Sequence, residues 1–523
     1  MGKYLLRRFI HGMVSAFVVV AIIMIMIYST LDRNLIFATD NVYRNLGNNQ
    51  KTAYQYRKWQ EYGYIDLLTY TDYIKMLVTN GELDEEEASS VNSIAKTPEA
   101  DSDTVAEYVE KFNSYCAENG YTVLRLNAIM ASPKKYANGG QQQLFAYRDR
   151  PLYTRLISYV TGLISVDNIH TVEDIEGERG LTFTWHDPAY GGEKFAPAII
   201  GNGTYHKYIL YVDSRFPFIH QNLVTLKLGT SYAVNAGIDV FETMTKPQGS
   251  YVTQTVYYPS GLVEDAADDL HTAVYVADSL EASMVNSDRF TDDYTGVTTY
   301  KSGLSKVGYS FKIGIFSVFF AYLIGIPMGI LMALYKDKLL DKIGTIYIVF
   351  IIAVPSLAYI FLFKAIGGKL GLPTTFDMNS SSPLFYILPV VSLTLPSVGG
   401  LMKWLRRYMI DQMNSDYVKF ARSGGLSERE IFFKHILKNA SIPIIHGIPA
   451  GVLGALVGAL ITERVYTVPG AGGLLTQAIG AYDNGVIVGV ALFYATLSVV
   501  SLILGDALMS MVDPRISYTS KSR

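Results

Sequence analysis

The chain has 523 residues, 50% of them hydrophobic and only 17% charged, and 44 Lys/Arg against 47 Asp/Glu leave a formal net charge of −3. That near-neutral total hides two unlike parts, because residues 31–300 hold 21 Lys/Arg and 36 Asp/Glu, a charge of −15, while the remainder carries +12. A single homogeneous globular domain is excluded, and so is a nucleic-acid binder, since phosphate would repel the large acidic block.

In chain order, the first element is an apolar run at residues 9–28, behind Lys3, Arg7 and Arg8. It is long enough to cross a bilayer, and the segment after Tyr28 offers no small-x-small cleavage pattern, so it is expected to remain as a first helix rather than leave as a signal peptide. Residues 31–305 follow as an acidic α+β block. Aromatic and aliphatic positions three or four apart (Tyr64, Leu67, Leu68, Tyr70, Tyr73, Ile74, Leu77) predict helix across 41–120, with a breaker at Asn80-Gly81. Beyond Gly120 the alternation turns strand-like, at residues 121–126, 181–185 and 208–212. The sole cysteine, Cys116, excludes an intramolecular disulfide and sits on a helix face as a small buried side chain. His186-Asp187 and the scattered His170, His206, His220 and His271 match no metal-ligand spacing, and Glu82–Glu87 lacks the ligand alternation of a calcium loop. No catalytic or metal site is expected here. The 39 Tyr of the chain serve core packing or adaptable polar patches.

Five further apolar runs come after the block, at residues 313–334, 344–366, 384–402, 442–461 and 486–511, with Pro355, Pro389, Pro396, Pro443 and Pro449 inside them. If the N-terminus is cytoplasmic, the cytoplasmic segments hold 17 Lys/Arg and the short outside loops 3. That bias predicts both termini inside and the acidic block outside. The six spans carry few charges, and the absence of titratable chains at mid-membrane argues against a proton-coupled secondary transporter. Asp506 is the clearest intramembrane carboxylate, near the cytoplasmic end of the last run, where a structural hydrogen-bonding role fits best. Gly447, Gly451, Gly454 and Gly458 form one smooth helix face that allows close approach of another helix, of this chain or of a partner.

Between the fourth and fifth runs lies a basic segment, 403–440. Its Gly424-Gly425 turn is followed by the capping box Ser427-x-x-Glu430 and then Ile431, Phe432, Phe433, Ile436 and Leu437, which predicts a short amphipathic helix on the cytoplasmic side. This segment resembles the coupling loop of the membrane subunits of ABC importers. Ala421, Gly425, Ile442 and Pro443 fit that family's pattern, and Lys419 stands where its leading Glu is usual. A second set of residues is similar to the closing signature of B-type permease subunits of the Opp/Ami oligopeptide transporters: Glu463, Pro469, Gly470, Gly472, Asp483, Asp506 and Asp513-Pro514-Arg515. Residues 4–9, 228–232 and 325–329 agree with it. The resemblance covers residues 1–30, roughly 222–245, and 305–516, and leaves out 45–220, an insertion expected of the Ami-type branch.

The resemblance implies an α-helical polytopic membrane protein of the type I ABC importer kind. Its parts would be an N-terminal helix (1–30), an extracellular domain (31–305) inserted between the first and second of six helices, a five-helix permease core (306–516) and a cytoplasmic tail (517–523). It also implies a second homologous permease, two cytoplasmic ATP-binding subunits engaging Ala421, Gly425, Leu426, Ser427, Glu430, Phe432, Phe433 and His435, an extracellular peptide-binding lipoprotein, an oligopeptide substrate and a lipid environment in a single-membrane bacterium. No cofactor is expected on this chain. It has no Gly-x-x-x-x-Gly-Lys-Ser/Thr loop, so ATP and magnesium would reside on the partner subunits. A dipeptide or nickel permease shares the same frame, and a membrane receptor would share the outer block but need an internal signalling domain.

Overall fold

The computed structural model describes residues 2–512, apart from residues 96, 127–143, 167–168, 170–177, 194, 213–218, 222, 248, 275–287, 291–295, 300, 302, 379, 381 and 458. The first helix, α1 (Gly2–Thr30), carries the first apolar run. The block after it opens with α2 (Asn48–Glu61), β1 (Ile65–Thr69) and α3 (Tyr70–Thr79). The predicted helical stretch is therefore interrupted. Leu67 and Leu68 lie on a strand, and the helix starts only where the Thr69 hydroxyl accepts from the Asp72 amide as an N-cap. It stops as the sequence suggests, at Asn80, with Gly81 in the left-handed region at φ +74°.

Helix α4 (Asp103–Glu118) and strands β2 (Thr122–Arg125) and β3 (Leu144–Asp149) complete a first subdomain, whose antiparallel sheet has the order β1-β3-β2. Its core joins Tyr70, Tyr73, Ile74, Leu77 and Phe112 to Cys116, and burial pushes the thiol up to about 11. A thiol so placed is an inert apolar filler. Helix α5 (Leu152–Thr161) and strand β4 (Ile164–Val166) lead to a second sheet, β5 (Gly180–His186), β6 (Phe195–Asn202), β7 (Tyr208–Val212) and β8 (Ile219–Gln221), in that order and all antiparallel. Strand β9 (Val224–Leu226) pairs back with β4.

Beneath the second sheet lies a polar centre that the sequence did not announce. The His271 ring stacks on Tyr211 at 4.4 Å, with Nε2 2.6 Å from Asp187 and Nδ1 2.9 Å from Asp269. Burial works against the imidazolium, but the two carboxylates overcome it and push its pKa up to about 9. A folded pKa raised above the ordinary 6.5 means that the stabilisation, about 3 kcal/mol at most, is complete below 6.5 and is lost as pH rises through 9. The unfolding midpoint of the chain in detergent is expected to fall across that window, and His271→Gln should flatten most of the fall. An unchanged slope in the variant would assign the decline to other groups.

The remaining helices form the apolar frame: α6 (Lys306–Leu334), α7 (Leu339–Ala353), α8 (Ser356–Lys369), α9 (Leu384–Met413), α10 (Asp416–Ser423), the 30-residue α11 (Glu428–Val457), α12 (Leu460–Tyr466), α13 (Ala471–Gly480) and α14 (Asn484–Val512). Among the described residues, α1, α6, α9, α11 and α14 are long and apolar enough to cross a membrane. The expected span at 344–366 is instead the pair α7 and α8, bent by 109°, so the count is five, or six if the bent pair is one span. Pro355 explains the break: it lacks an amide donor and forces Val354 out of the helical region, to φ −82° and ψ 127°. Helix α9 runs through Pro389 and Pro396 without interruption.

Candidate functional site

The basic segment 403–440 is more helical than its sequence suggests. Residues 403–413 extend α9, and residues 428–440 are the first turns of α11, so only α10 and the turn at 424–427 stand apart from the long helices. The expected short amphipathic helix is thus the root of a spanning one. Its first part includes a π-helical stretch, Ile431–Leu437, a wider winding found often at functional sites.

Local chemistry shapes the turn. Gly425 adopts φ +80°, which a side chain would resist, and its amide donates to the Arg422 carbonyl. The Ser427 hydroxyl accepts from the Glu430 amide while the Glu430 carboxylate accepts from the Ser427 amide, closing the predicted capping box. Arg422 grips Glu428 through two hydrogen bonds of 2.5 and 3.0 Å, clamping α10 to the start of α11. One face of this unit is buried: Val418, Ile431, Phe432 and Ile436 pack with Ala333, Leu405 and Met409, and Ala421 lies against the same cluster.

The other face is open. Phe420 is 77% exposed, Phe433 50% and Leu426 39%. The residues singled out from sequence therefore divide. Phe432 is core, His435 is half-buried, Ser427, Glu430 and Gly425 build the turn, and Leu426 and Phe433 are exposed apolar side chains. Phe420, the most exposed of this group, was missed. The signal that could have found it is a large aromatic on the polar face of an eight-residue helix whose Val418 points inward.

The closing signature resolves into two buried carboxylate knots. Glu463, 2% exposed, accepts from the Ser310 hydroxyl of α6 at 2.7 Å, from the Ala459 amide at 3.0 Å and from the Gly473 amide at 3.2 Å. Burial pushes its carboxyl above the ordinary range, and these hydrogen bonds partly restrain the rise. Gly470 and Gly472 wrap it so closely that a Cβ on Gly470 would overlap the carboxyl group, and one on Gly472 would stand 2.8 Å from the Leu460 nitrogen. Pro469 precedes this collar.

Asp483, fully buried, ties the block at 31–305 to the frame. Its oxygens accept from the Ser231 hydroxyl at 2.7 Å and from the amides of Tyr232, Ala233 and Val234 at 2.8, 2.8 and 2.9 Å, with Val486 at 3.2 Å. Successive amides turned inward make an anion-binding nest. At the glycines two and six residues on, Gly485 and Gly489, the Thr230 and Leu228 carbonyls occupy the space a Cβ would need. Tyrosines finish the joint: Tyr62 stacks on Tyr232 at 3.9 Å, Tyr64 receives the Asn484 amide at 3.0 Å, and Arg155 lies over the rings of Tyr28 and Tyr64.

Asp506 pairs with Arg8 of α1 and accepts from Tyr4, with His446 Nδ1 3.9 Å away, so it links the first and last long helices. Of the glycine stripe, Gly447 caps the Lys438–His446 segment, a Cβ on Gly451 would meet Val318 of α6 at 3.6 Å, and one on Gly454 would meet nothing within 4 Å. Gly458, Asp513, Pro514 and Arg515 lie outside the described residues. At the root of α9, Arg406 forms a two-pronged pair with the buried Asp341 of α7, at 2.5 and 2.7 Å. Among the described residues no group of three or more His, Cys, Asp or Glu could hold a metal ion.

With this geometry in hand, residues 325–518 match the family described as binding-protein-dependent transport system inner membrane component. The oligopeptide transport system permease protein AmiC of Streptococcus pneumoniae is 33% identical over 531 residues, covering 100% of this chain and 99% of that protein. The dipeptide transport system permease protein DppB of Bacillus subtilis is 29% identical over 215 residues, 40% of this chain and 68% of its own length. A chain of the MetNI methionine ABC transporter is 15% identical and covers 40% of this chain and 94% of its own, with a TM-score of 0.31. The similarity to the pneumococcal protein runs through residues 45–220, where no likeness is expected from the frame signatures alone. The chain belongs to the Opp/Ami-type permease subunits of binding-protein-dependent transport systems.

Proposed function

We propose that this chain is the membrane subunit of an ATP-driven oligopeptide importer, paired with a homologous permease to enclose the translocation path. The exposed surface of Phe420, Leu426 and Phe433 carries the reading. It is apolar, flanked by a capped turn and the Arg422–Glu428 pair, and rooted in α9 and α11, so a push on it bears on two long helices. An ATP-binding subunit is the partner that such a lever suits, because the chain has no phosphate loop of its own. The charge bias of the frame puts this tip, with both termini, in the cytoplasm, and the acidic block outside, where it receives a peptide-binding lipoprotein or covers the mouth of the path. Counting the bent pair α7 and α8 as one span would fit the six-helix frame of a type I permease. The oligopeptide assignment rests on the pneumococcal relative, an oligopeptide permease that matches the whole chain, residues 45–220 included.

The test is co-purification with the ATP-binding subunits, followed by ATPase assays with and without peptide-loaded binding protein. Phe420→Asp with Phe433→Asp is expected to abolish co-purification while leaving the unfolding midpoint within about 2 °C, since both side chains are exposed. Gly425→Trp should also abolish co-purification, here by straining the turn at φ +80°, with some loss of stability. Retained association and peptide-stimulated hydrolysis in these variants would overturn the assignment of the coupling surface.

A further inference from the structure

Helix α5 belongs by sequence to the polar block, yet it packs against two long apolar helices of the frame. Its Leu156 and Tyr159 join Val20 and Met24 of α1 and Val488 and Leu492 of α14 in one cluster. At 1.5 Å per residue, Met24 and Val20 lie about 6 and 12 Å below Tyr28, where the first apolar run ends. Val488 and Leu492 lie about 6 and 12 Å below Asn484, where α14 begins. Two helices thus place the contact in the first turns below their polar ends, at the edge of a hydrocarbon layer about 30 Å thick.

The flank of α5 beside that contact is bare and apolar, and Thr154, Ser158 and Thr161 line the far side. Tyr153 and Ile157, one turn apart, are 68% and 59% exposed. The ribbon that follows continues the surface: Ile164 faces Leu226, Val166 faces Val224, and all four side chains are exposed on one face of the β4–β9 pair. The helix contains no acidic residue, and its one cation, Arg155, is turned away over the Tyr28 and Tyr64 rings at 3.6 and 4.0 Å. The Tyr159 hydroxyl donates to the Leu228 carbonyl, so the unit is fastened to the segment seated on Gly489.

We infer that α5 and the β4–β9 ribbon form an interfacial membrane anchor, with Tyr153, Ile157 and the ribbon's apolar face lying in the boundary between headgroups and acyl chains. The occupant is lipid, because the buried side of the same helix rests on two spanning helices below the polar boundary, where the surrounding surface is acyl chain rather than water. A tyrosine at that level suits the interface, with its ring in the apolar zone and its hydroxyl among headgroups. The anchor attaches the block to the bilayer at a further place besides the spanning helices α1 and α6 and fixes its tilt over the frame.

The test uses the full chain in phosphatidylcholine–phosphatidylglycerol nanodiscs, with nitroxides placed singly at Tyr153→Cys and Ile157→Cys. Ser89→Cys, exposed on the far subdomain, serves as the water reference, and Phe319→Cys, exposed on α6, as the lipid reference. Cys116 is fully buried and can stay in place should its replacement unfold the chain. The ratio of collisions with molecular oxygen to collisions with a nickel chelate is expected to be several-fold higher at 153 and 157 than at 89, close to that at 319. A ratio matching Ser89 would place the helix in water and overturn the anchor. Protection from both reagents would mean that protein covers this face, and would overturn it equally.

Discussion

Asp483→Asn is expected to release residues 231–234 from the frame. The exchange keeps the shape but puts an amide where the carboxylate accepts from three successive backbone amides and the Ser231 hydroxyl, so at least one N–H must face another in a site closed to water. Lost charge-assisted hydrogen bonds and a buried unsatisfied donor together cost on the order of 3 kcal/mol or more. Hydrogen exchange read by mass spectrometry should show the amides of Tyr232, Ala233, Val234 and Val486 losing protection, with a lower unfolding midpoint in detergent. Protection unchanged at those four amides would mean that neighbouring contacts, not the carboxylate, hold the joint.

A comparable loss is expected at the second knot, with a distinctive pattern. Gly470→Ala drives a methyl group into the Glu463 carboxyl, an overpacking penalty of about 1–3 kcal/mol to which displaced hydrogen bonds add. Glu463→Ala removes the obstacle along with the bonds to Ser310, Ala459 and Gly473. The two changes should therefore couple, and Gly470→Ala should cost much less in the Glu463→Ala background than in the native one. Thermal unfolding of the four members of the cycle decides it. Strict additivity would show that the collar does not tighten on this carboxylate.

How much of this was legible beforehand depends on sequence separation. The long helices announce themselves because each carries an uninterrupted apolar window, and the turn before α11 because Gly425 and the Ser427–Glu430 box are local signals spaced within six residues. The extent of α9 and α11 was hidden where Lys403, Arg406 and Lys434 end the apolar window but not the helix. Pro355 was visible, yet whether a proline bends a helix or passes through it, as at Pro389 and Pro396, is set by the packing around it. The knots were recognisable only as residues, not as contacts. Asp483 meets Tyr232 across 251 positions and His271 meets Asp187 across 84, and no periodicity encodes such a meeting. Strand β1 was masked because Leu67 and Leu68 share a helical spacing with the true helix that follows them.

The joint at Asp483 has one more consequence. The chain leaves the frame at Tyr28 and is gathered back at residues 228–239, and both places touch the same few tyrosines and the start of α14. Departure and return are cinched together like the mouth of a purse. Segments between them that touch neither the joint at Tyr62, Tyr64 and Arg155 nor α5 can be lengthened, trimmed or exchanged with both ends held in place, so the reach of the acidic block can change while the frame stays the same.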